Sequence, residues 1–365
     1  MDVPSATTQT ARRPGRRPTR AALISILVAS MLALGACSTA GSSASPTIPP
    51  NATGSIQPAA TATPPPSAAP TFPLTLTDDE GTAVELKAEP QKIVSLTPST
   101  TETLFALGVG DRVVGKVEDF SLYPPEAASI PDVAKFGEVN VEQIVSLEAD
   151  LVIAGGNSFN PPDKIAQLRT LGVPVLVIYA PDVDTVLKDI KLTGSAVGKL
   201  AEAKDLTASM RAAFDQIGAA TAGLPKPRTF YELDASQKIY TAADDSFLAQ
   251  MIELAGGDPI TTGSTTNFEI PLEKLVTADP EIILLGDAAY GATADAVAAR
   301  PGWNVMTAVK NGDIRPVDDV VITRPGPRLV DGLRALAAAI HPDAQLPSAA
   351  PAGSPAASPA ASAGY

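Results

Sequence analysis

The sequence predicts an α/β fold of two similar lobes, each built on a parallel sheet, joined by one long helix and enclosing one cleft. Three observations carry this expectation. The stretch Val141–Ala154, VEQIVSLEADLVIA, returns at Leu272–Leu285 as LEKLVTADPEIILL, with Glu142 over Glu273, Glu148 over Asp279 and Asp150 over Glu281. Each copy reads as a short helix opened by an acid, an acidic turn and a fully buried strand. The offset from Val141 to Leu272 is a domain-sized period and not that of a solenoid. On both sides of the middle, short apolar runs alternate with helical patterns of about 10–15 residues, the grammar of a parallel sheet with right-handed crossovers. Between the halves, Leu200–Ala222 runs unbroken by Pro, with positions 203, 206, 210, 213/214 and 217 on one face. Such a helix is about 34 Å long, enough to lie along both lobes.

The chain begins with Arg12, Arg13, Arg16, Arg17 and Arg20, followed by one apolar run, Ala21–Leu34. That run is too short to span a bilayer and suits the core of a signal peptide. It closes on Leu34-Gly35-Ala36-Cys37, and Cys37 is the only cysteine of the chain. These residues resemble a bacterial lipoprotein box, which implies cleavage after residue 36, lipidation of Cys37 and export. With one cysteine no disulfide is expected. Residues 38–71 carry no charge and consist almost wholly of Ser, Thr, Ala, Pro and Gly. Such a segment buries too little apolar area to offset chain entropy, so 37–71 is expected to be a disordered tether. Residues 344–365 are expected to form a disordered tail.

The N-terminal lobe is expected over 72–182. Phe72–Leu86 alternates apolar and polar residues about Asp79-Glu80-Gly81, a hairpin pattern. Lys92–Leu96 reads as a buried strand, and Thr97–Glu102 turns it into a helix ending at Leu107-Gly108. Arg112–Val117 is the next strand. The loop Phe120–Glu126 and the segment Phe136–Asn140 lead into the first repeat, with Asn140 as N-cap and Gln143 at N3. A helix over Pro162–Leu171 and a strand over Val173–Ile178 complete the lobe. Ligands of parallel sheets lie beyond the carboxyl ends of the strands. That points at Thr97–Thr101, Phe120–Tyr123, Gly155–Phe159, which includes Asn157, and Tyr179.

Residues 183–225 are expected to bridge the lobes through a helix at Asp184–Val197 and the long helix, which Pro225 and Pro227 end. The C-terminal lobe, 226–343, repeats the order. Strand Arg228–Leu233 and helix Phe247–Ala255 precede the second repeat, with Pro271 at its helix start. Ile282–Leu285 then runs into Gly286–Tyr290, the counterpart of Gly155–Phe159. Further expected elements are a helix near Ala294–Ala299, a strand at Ile314–Val317 and a last helix after Arg324–Arg328. Trp303 reads as packing.

Composition excludes several functions. The formal charge is −13, and removal of residues 1–36, with five arginines and one aspartate, makes it −17. No basic patch is interleaved with aromatics, so no nucleic-acid partner is expected. His341, the only histidine, lies just past the last helix, where a helix-end cation is the ordinary reading. That leaves no Ser-His-Asp triad and no His-rich metal site, and no loop has EF-hand spacing. Gly194…Gly198-Lys199-Leu200 has one residue too few between its glycines for a phosphate loop and lies between helices. Gly108-Val109-Gly110…Gly115 fails the dinucleotide spacing. No catalytic residue, metal or cofactor is expected. A surface-tethered two-lobed enzyme is the weaker alternative, and an adhesion or scaffold lipoprotein is a third reading.

In their order, several stretches resemble the substrate-binding lipoproteins of ABC importers for iron–siderophores and cobalamin. They are KIVSLTPSTTETLFALG (92–108), YPPEA (123–127), the two repeats, SFLAQMIELAGGD (246–258), RPGWNVMTAVKNGDI (300–314) and RPGPRLVDGL (324–333). The resemblance spans nearly all of 87–343. It implies two Rossmann-like lobes with little hinge motion, a ligand held in the cleft, and a monomer that docks on the permease subunits of an importer. By position, Glu142 and Glu273 match the glutamates that pair with permease arginines in that family. Ser99, Thr100, Thr101, Tyr123 and the Pro124-Pro125 step most resemble the cobalamin binders, whose aromatic side chains sandwich the corrin. Phe136 stands where those carry an aromatic. Gly155-Gly156 stand where another is expected, with Phe159 displaced from that place and Phe268 near the matching place of the second lobe. Arg324 is the best candidate to meet an anionic siderophore. Corrinoid and ferric chelate both stay open as ligands, with heme or a metal oxyanion as further alternatives.

Overall fold

The structure, a computed structural model, describes residues 70–156 and 159–348. The signal peptide, Cys37, nearly all of the tether, Asn157 and all but the first residues of the tail lie outside the described residues.

The hairpin pairs β1 (Leu74–Thr77) with β2 (Ala83–Leu86). Its turn is tied to the lobe by polar contacts. The Asp78 carboxylate accepts from Arg169 at 2.8 Å, and Asp79 accepts from the Tyr179 N–H at 2.8 Å and from Lys188 at 2.7 Å. The first sheet contains β3 (Ile93–Ser95), β4 (Val113–Val117), β5 (Asp132–Lys135), β6 (Glu138–Val139), β7 (Leu151–Gly155) and β8 (Val175–Ile178) in the order β6-β5-β4-β3-β7-β8. Only the β5–β6 pair is antiparallel. Helices α1 (Pro98–Ala106), α2 (Val141–Ser146) and α3 (Pro162–Thr170) connect its strands. Then come α4 (Val183–Ala196) and the long α5 (Leu200–Thr221), which packs on α4.

The second sheet is fully parallel. It contains β9 (Arg228–Glu232), β10 (Asp258–Pro259), β11 (Ile282–Leu285) and β12 (Ile314–Pro316) in the order β10-β9-β11-β12. Around it lie α6 (Phe247–Leu254), α7 (Leu272–Ala278), α8 (Ala294–Ala298), α9 (Thr307–Asn311), α10 (Asp319–Thr323) and α11 (Leu329–Ile340).

The internal repeat is a repeat of bonding as well as of sequence. The run β4-β3-β7-β8 corresponds to β10-β9-β11-β12. Asp150 accepts from the N–H groups of Gln91 and Lys92 at 2.8 and 2.9 Å, and its own N–H reaches the Lys92 carbonyl. Glu281, its counterpart, accepts from the Arg228 N–H at 2.9 Å, and its N–H reaches the Arg228 carbonyl. Each acid therefore fixes the register between the repeated strand and the first strand of its own parallel sheet. Glu148 and Asp279 also correspond, and both take the left-handed backbone at φ 54° and 47°.

Alternate faces of the strands feed different cores. Ile93, Leu151 and Ile153 of the first sheet and Tyr231, Ile282 and Leu284 of the second share one cluster with Leu187, Met210, Phe214, Ile217, Leu248 and Leu333. Val94, Val152 and Ala154 face a second cluster. Phe230, Ile283 and Leu285 face a third with Trp303, which stacks edge-on to Phe230 at 6.2 Å. Burial on both faces explains why the repeated strands read as unbroken apolar runs. Helix α5 buries Ala203, Thr207, Met210, Phe214 and Ile217. Leu206 packs against the same cluster half-buried, and beside it Thr207 is buried as well, its hydroxyl satisfied by donating to the Ala203 carbonyl at 2.8 Å. The short elements β5, β6, β10, α9 and α10 were not anticipated. His341 is buried, and its Nε2 donates to the Gly256 carbonyl at 3.1 Å, so it ties the end of α11 to the end of α6.

Asp189 on α4 is buried beside Asp79, and its Oδ1 has no partner among the described residues. Burial, then the Asp79 carboxylate, push its pKa up to about 8. The folded state therefore holds a proton that the unfolded chain releases near pH 4. The group costs nothing below that pH. Its cost grows as pH rises from about 4 to about 8 and is constant above. Asp189→Asn is expected to flatten this slope and to raise stability at pH 8 by at least about 1 kcal/mol. Urea unfolding at pH 5 and pH 8 measures it; an equal effect at both pH values would refute the assignment.

Candidate functional site: the cleft between the lobes

Aromatic side chains usually go inside, since each carries a large apolar area. Here Phe120, Phe136, Phe159, Tyr179, Phe268 and Tyr290 are exposed, with Phe136 at 78%, Tyr290 at 74% and Phe120 at 72%. Five of them follow the carboxyl ends of parallel strands: Phe120 after β4, Phe136 after β5, Phe159 after β7, Tyr179 after β8 and Tyr290 after β11. Phe136 and Phe159 meet edge-on at 6.2 Å. Phe120 of the first lobe and Tyr290 of the second meet edge-on at 6.5 Å, so the ring pair crosses the cleft. The glycines at 155 and 156 make room for this wall. A Cβ on Gly155 would lie 2.7 Å from Thr97 and 3.0 Å from Phe159, and one on Gly156 would lie 3.2 Å from Tyr179. Phe159 and Tyr179 fill the space that an aromatic at those positions would need.

The structure places the Ser99–Thr101 group otherwise than expected. Ser99, Thr100 and Thr101 are buried, and their hydroxyls are used within the turn. Thr97 Oγ1 bonds Thr100 at 2.8 Å and Ser99 at 3.2 Å, and Thr101 bonds Ser95. They build the amino end of α1, and only Thr101 lines a depression, of about 250 Å³, under the Phe120–Tyr123 loop. Lys116 also lines it and is paired with Asp132.

Arg324 is in the cleft but is not free to meet an anion. It donates to both Asp119 oxygens at 2.7 and 2.8 Å, to Ser121 at 2.9 Å and to Glu102 at 3.3 Å. Arg328 holds Glu102 through two bonds, at 2.9 and 2.6 Å, and lies over the Tyr123 ring at 3.9 Å. The arginine beside Asp119 holds its pKa below the usual range against the opposing effect of burial.

Below Tyr290, Glu232 at the end of β9 is wholly buried and held by Arg300 at 2.5 and 2.8 Å. Its neighbour Asp287 has its pKa pushed up to about 6, by burial and then by the Glu232 carboxylate. A raised carboxyl beside a second acid is the signature of acid–base chemistry. Glu232, however, has no exposed side-chain surface, and both its oxygens are bonded to Arg300, so the two cannot act together on a bound molecule. Gly286, between β11 and this loop, is required by packing, since a Cβ there would lie 2.4 Å from the Tyr231 ring.

Glu142 and Glu273 lie in the first turns of α2 and α7, both exposed, and among the described residues neither makes an ion pair. Asn140 caps α2, its side chain accepting from Gln143 N–H at 3.0 Å. Phe120 opens the loop Phe120–Tyr123 that the strand ends point to, whereas the sequence marks Tyr290 only as the end of the counterpart of Gly155–Phe159. Glu102, Asp119 and Arg328 gave no signal, because pairing between opposite lobes has no local signature.

A larger depression, about 490 Å³, lies on the outer surface of α4 and α5, lined by Asp184, Leu187, Lys191, Thr207 and Arg211. No aromatic lines it. The aromatic edge between the lobes is the better ligand site, since a few polar groups on an apolar concavity is what binds organic molecules.

Comparison with known proteins gives one consistent set of likenesses. The family model described as periplasmic binding protein matches residues 93–321. An uncharacterized ABC transporter substrate-binding lipoprotein of Bacillus subtilis is 36% identical over 277 residues, covering 74% of this chain and 87% of the relative. A cobalamin-binding protein of Halobacterium salinarum is 33% identical over 286 residues, covering 74% of this chain and 75% of the relative. Among solved structures, a periplasmic heme-binding protein from Roseiflexus is similar with a TM-score of 0.62 and 27% identity, over 69% of this chain and 98% of that one.

Proposed function

We propose, since the chain belongs to the periplasmic binding protein family, that it captures a flat, largely uncharged corrinoid between its lobes and delivers it to the permease of an ABC importer. The observation that carries the ligand class is electrostatic. Among the described residues, Arg324, Arg328, Arg300 and Lys116, four cations at or beneath the aromatic loops, are each already paired with a carboxylate. A polyanionic ferric siderophore, or the propionates of heme, would have to displace an acid to find a positive partner. A corrin, apolar on its faces and edged with amides, needs rings to stack on and a few hydrogen bonds. Phe120, Phe136, Phe159, Phe268 and Tyr290 offer the rings. Binding of this kind needs no covalent step, and we read the protein as a carrier rather than an enzyme. The Cys37 box supports anchoring by lipid on the outer face of the cytoplasmic membrane, and the B. subtilis relative is named a lipoprotein.

A thermal-shift series with cyanocobalamin, dicyanocobinamide, hemin and ferric enterobactin tests the ligand class. A ligand at 100 times its Kd adds about 2.7 kcal/mol, which for a domain of this size is a rise of roughly 5–10 °C. The two corrinoids are expected to shift the transition. A shift with ferric enterobactin or hemin alone would replace the corrinoid by an anionic chelate.

A further inference from the structure

Two acids of the N-terminal lobe and two arginines of the C-terminal lobe meet at the cleft. Their side chains are nearly enclosed: Glu102 is 1% exposed, Asp119 8%, Arg324 13% and Arg328 19%. The four charges cancel. Arg328 grips Glu102, and Arg324 grips Asp119, each through two bonds. Arg324 follows α10, which is itself fixed to β9, because Asp319 accepts from the Tyr231 hydroxyl at 2.9 Å and from Thr323 at 3.2 Å. Polar contacts thus tie the second sheet to α10, the backbone carries on from α10 to Arg324, and Arg324 bonds the loop after β4.

Enclosed ion pairs are a weak source of stability, because desolvation offsets most of their attraction, but their geometry admits one arrangement. What they arrange here is the loop carrying Phe120 and Tyr123. Asp119 also accepts from the Ser121 N–H and hydroxyl, both at 2.9 Å. Arg324 lies 5.7 Å from the centre of the Phe120 ring, and Arg328 lies over Tyr123. Leu122 between them sits at φ 49°, a left-handed backbone that costs a non-glycine residue about 1–2 kcal/mol. Such a conformation persists only where the surroundings over-determine it.

We propose that Arg324 and Arg328 are positioning residues. They hold the two lobes in register, and through Asp119 and Glu102 they hold the strained Phe120–Tyr123 loop upright as one wall of the cleft. The loop-holding role concerns the protein without ligand; its effect on affinity rests on the corrinoid reading above.

Chymotrypsin distinguishes the two parts. It cleaves after Phe and Leu, and Phe120 and Leu122 are both exposed, so cleavage there reports local opening of the loop. Wild type is expected to resist. Arg324→Gln is expected to be cut in this loop at least about tenfold faster, a local opening easier by about 1.4 kcal/mol. Arg169→Gln removes another enclosed ion pair, to Asp78, at a distance from the loop, and is expected to leave the loop resistant. Arg324→Lys keeps the charge without the two-point grip and is expected to behave as Arg324→Gln; it serves alone if Arg324→Gln does not fold. Cyanocobalamin affinity of either variant is expected to fall at least about tenfold, as a misplaced anchor ring costs above 1 kcal/mol. Loop resistance equal to wild type in the Arg324 variants would reduce the network to an ordinary structural ion pair. Absence of cyanocobalamin binding by wild type would remove the corrinoid reading and leave the proteolysis result standing.

Discussion

A protein carrying Glu142→Arg together with Glu273→Arg is expected to lose ligand uptake and keep its ligand affinity. Each acid opens a short helix and is exposed, in the same position of the two repeats. The helix dipole stabilises an acid there, which is the ordinary reason for finding one. Two further facts favour a partner. Neither carboxylate forms an ion pair among the described residues, and the repeat places them equivalently on two lobes that share one core. Reversing a charge that faces an opposite charge costs several kcal/mol per site, so the double variant should transport below about 1% of wild type. Each single reversal should fall between. Uptake of labelled cyanocobalamin into cells, beside titration of the purified protein, makes the comparison. Normal transport by the double variant would sink the docking role, and lost affinity would place the acids in the ligand site.

Replacing Phe136 and Phe159 together by alanine should weaken cyanocobalamin binding by about 100-fold and leave the melting temperature within about 1–2 °C of wild type. Both rings are exposed and touch each other, so they contribute little to folding. A ring that becomes covered by a flat ligand recovers the apolar area it now leaves in water, on the order of 1–3 kcal/mol each. Phe268→Ala should have a smaller effect, since among the described residues no ring contact supports that side chain. Calorimetric titration decides. Unchanged affinity in the double variant would move the ligand to the Phe120–Tyr290 side of the cleft.

Much of this architecture was legible because it follows from local pattern. The repeat announced two lobes through apolar runs and evenly placed acids, and both features have physical causes: burial on both strand faces, and carboxylates that bond the first strand of each parallel sheet. Asn140 could be read as a cap from its spacing to Gln143. The short elements were not legible. Strand β10 has two residues and α9 and α10 five each, too few to show a period. In the site, pattern found the right loops but not the right chemistry. The Ser99–Thr101 hydroxyls look like ligand donors in a one-dimensional reading, yet they satisfy one another beneath a turn. Arg324 looks like a free cation until Asp119, 205 positions earlier, is seen to occupy it. Polar residues advertise their capacity to bond, and only the fold shows where that capacity is used.

The core cluster that takes in Ile93 of one sheet and Leu284 of the other also bears on how the molecule unfolds and yields its cargo. Parting the lobes would wet apolar surface from both sheets and both bridging helices. At roughly 25 cal/mol per Å², exposing even about 400 Å² costs about 10 kcal/mol, comparable to the whole stability of a typical domain. The lobes should therefore melt in one transition with equal calorimetric and van't Hoff enthalpies. By the same reckoning, spontaneous gaping is too rare to set the rate of release, and under the proposed function the work of prising the cleft falls to the permease.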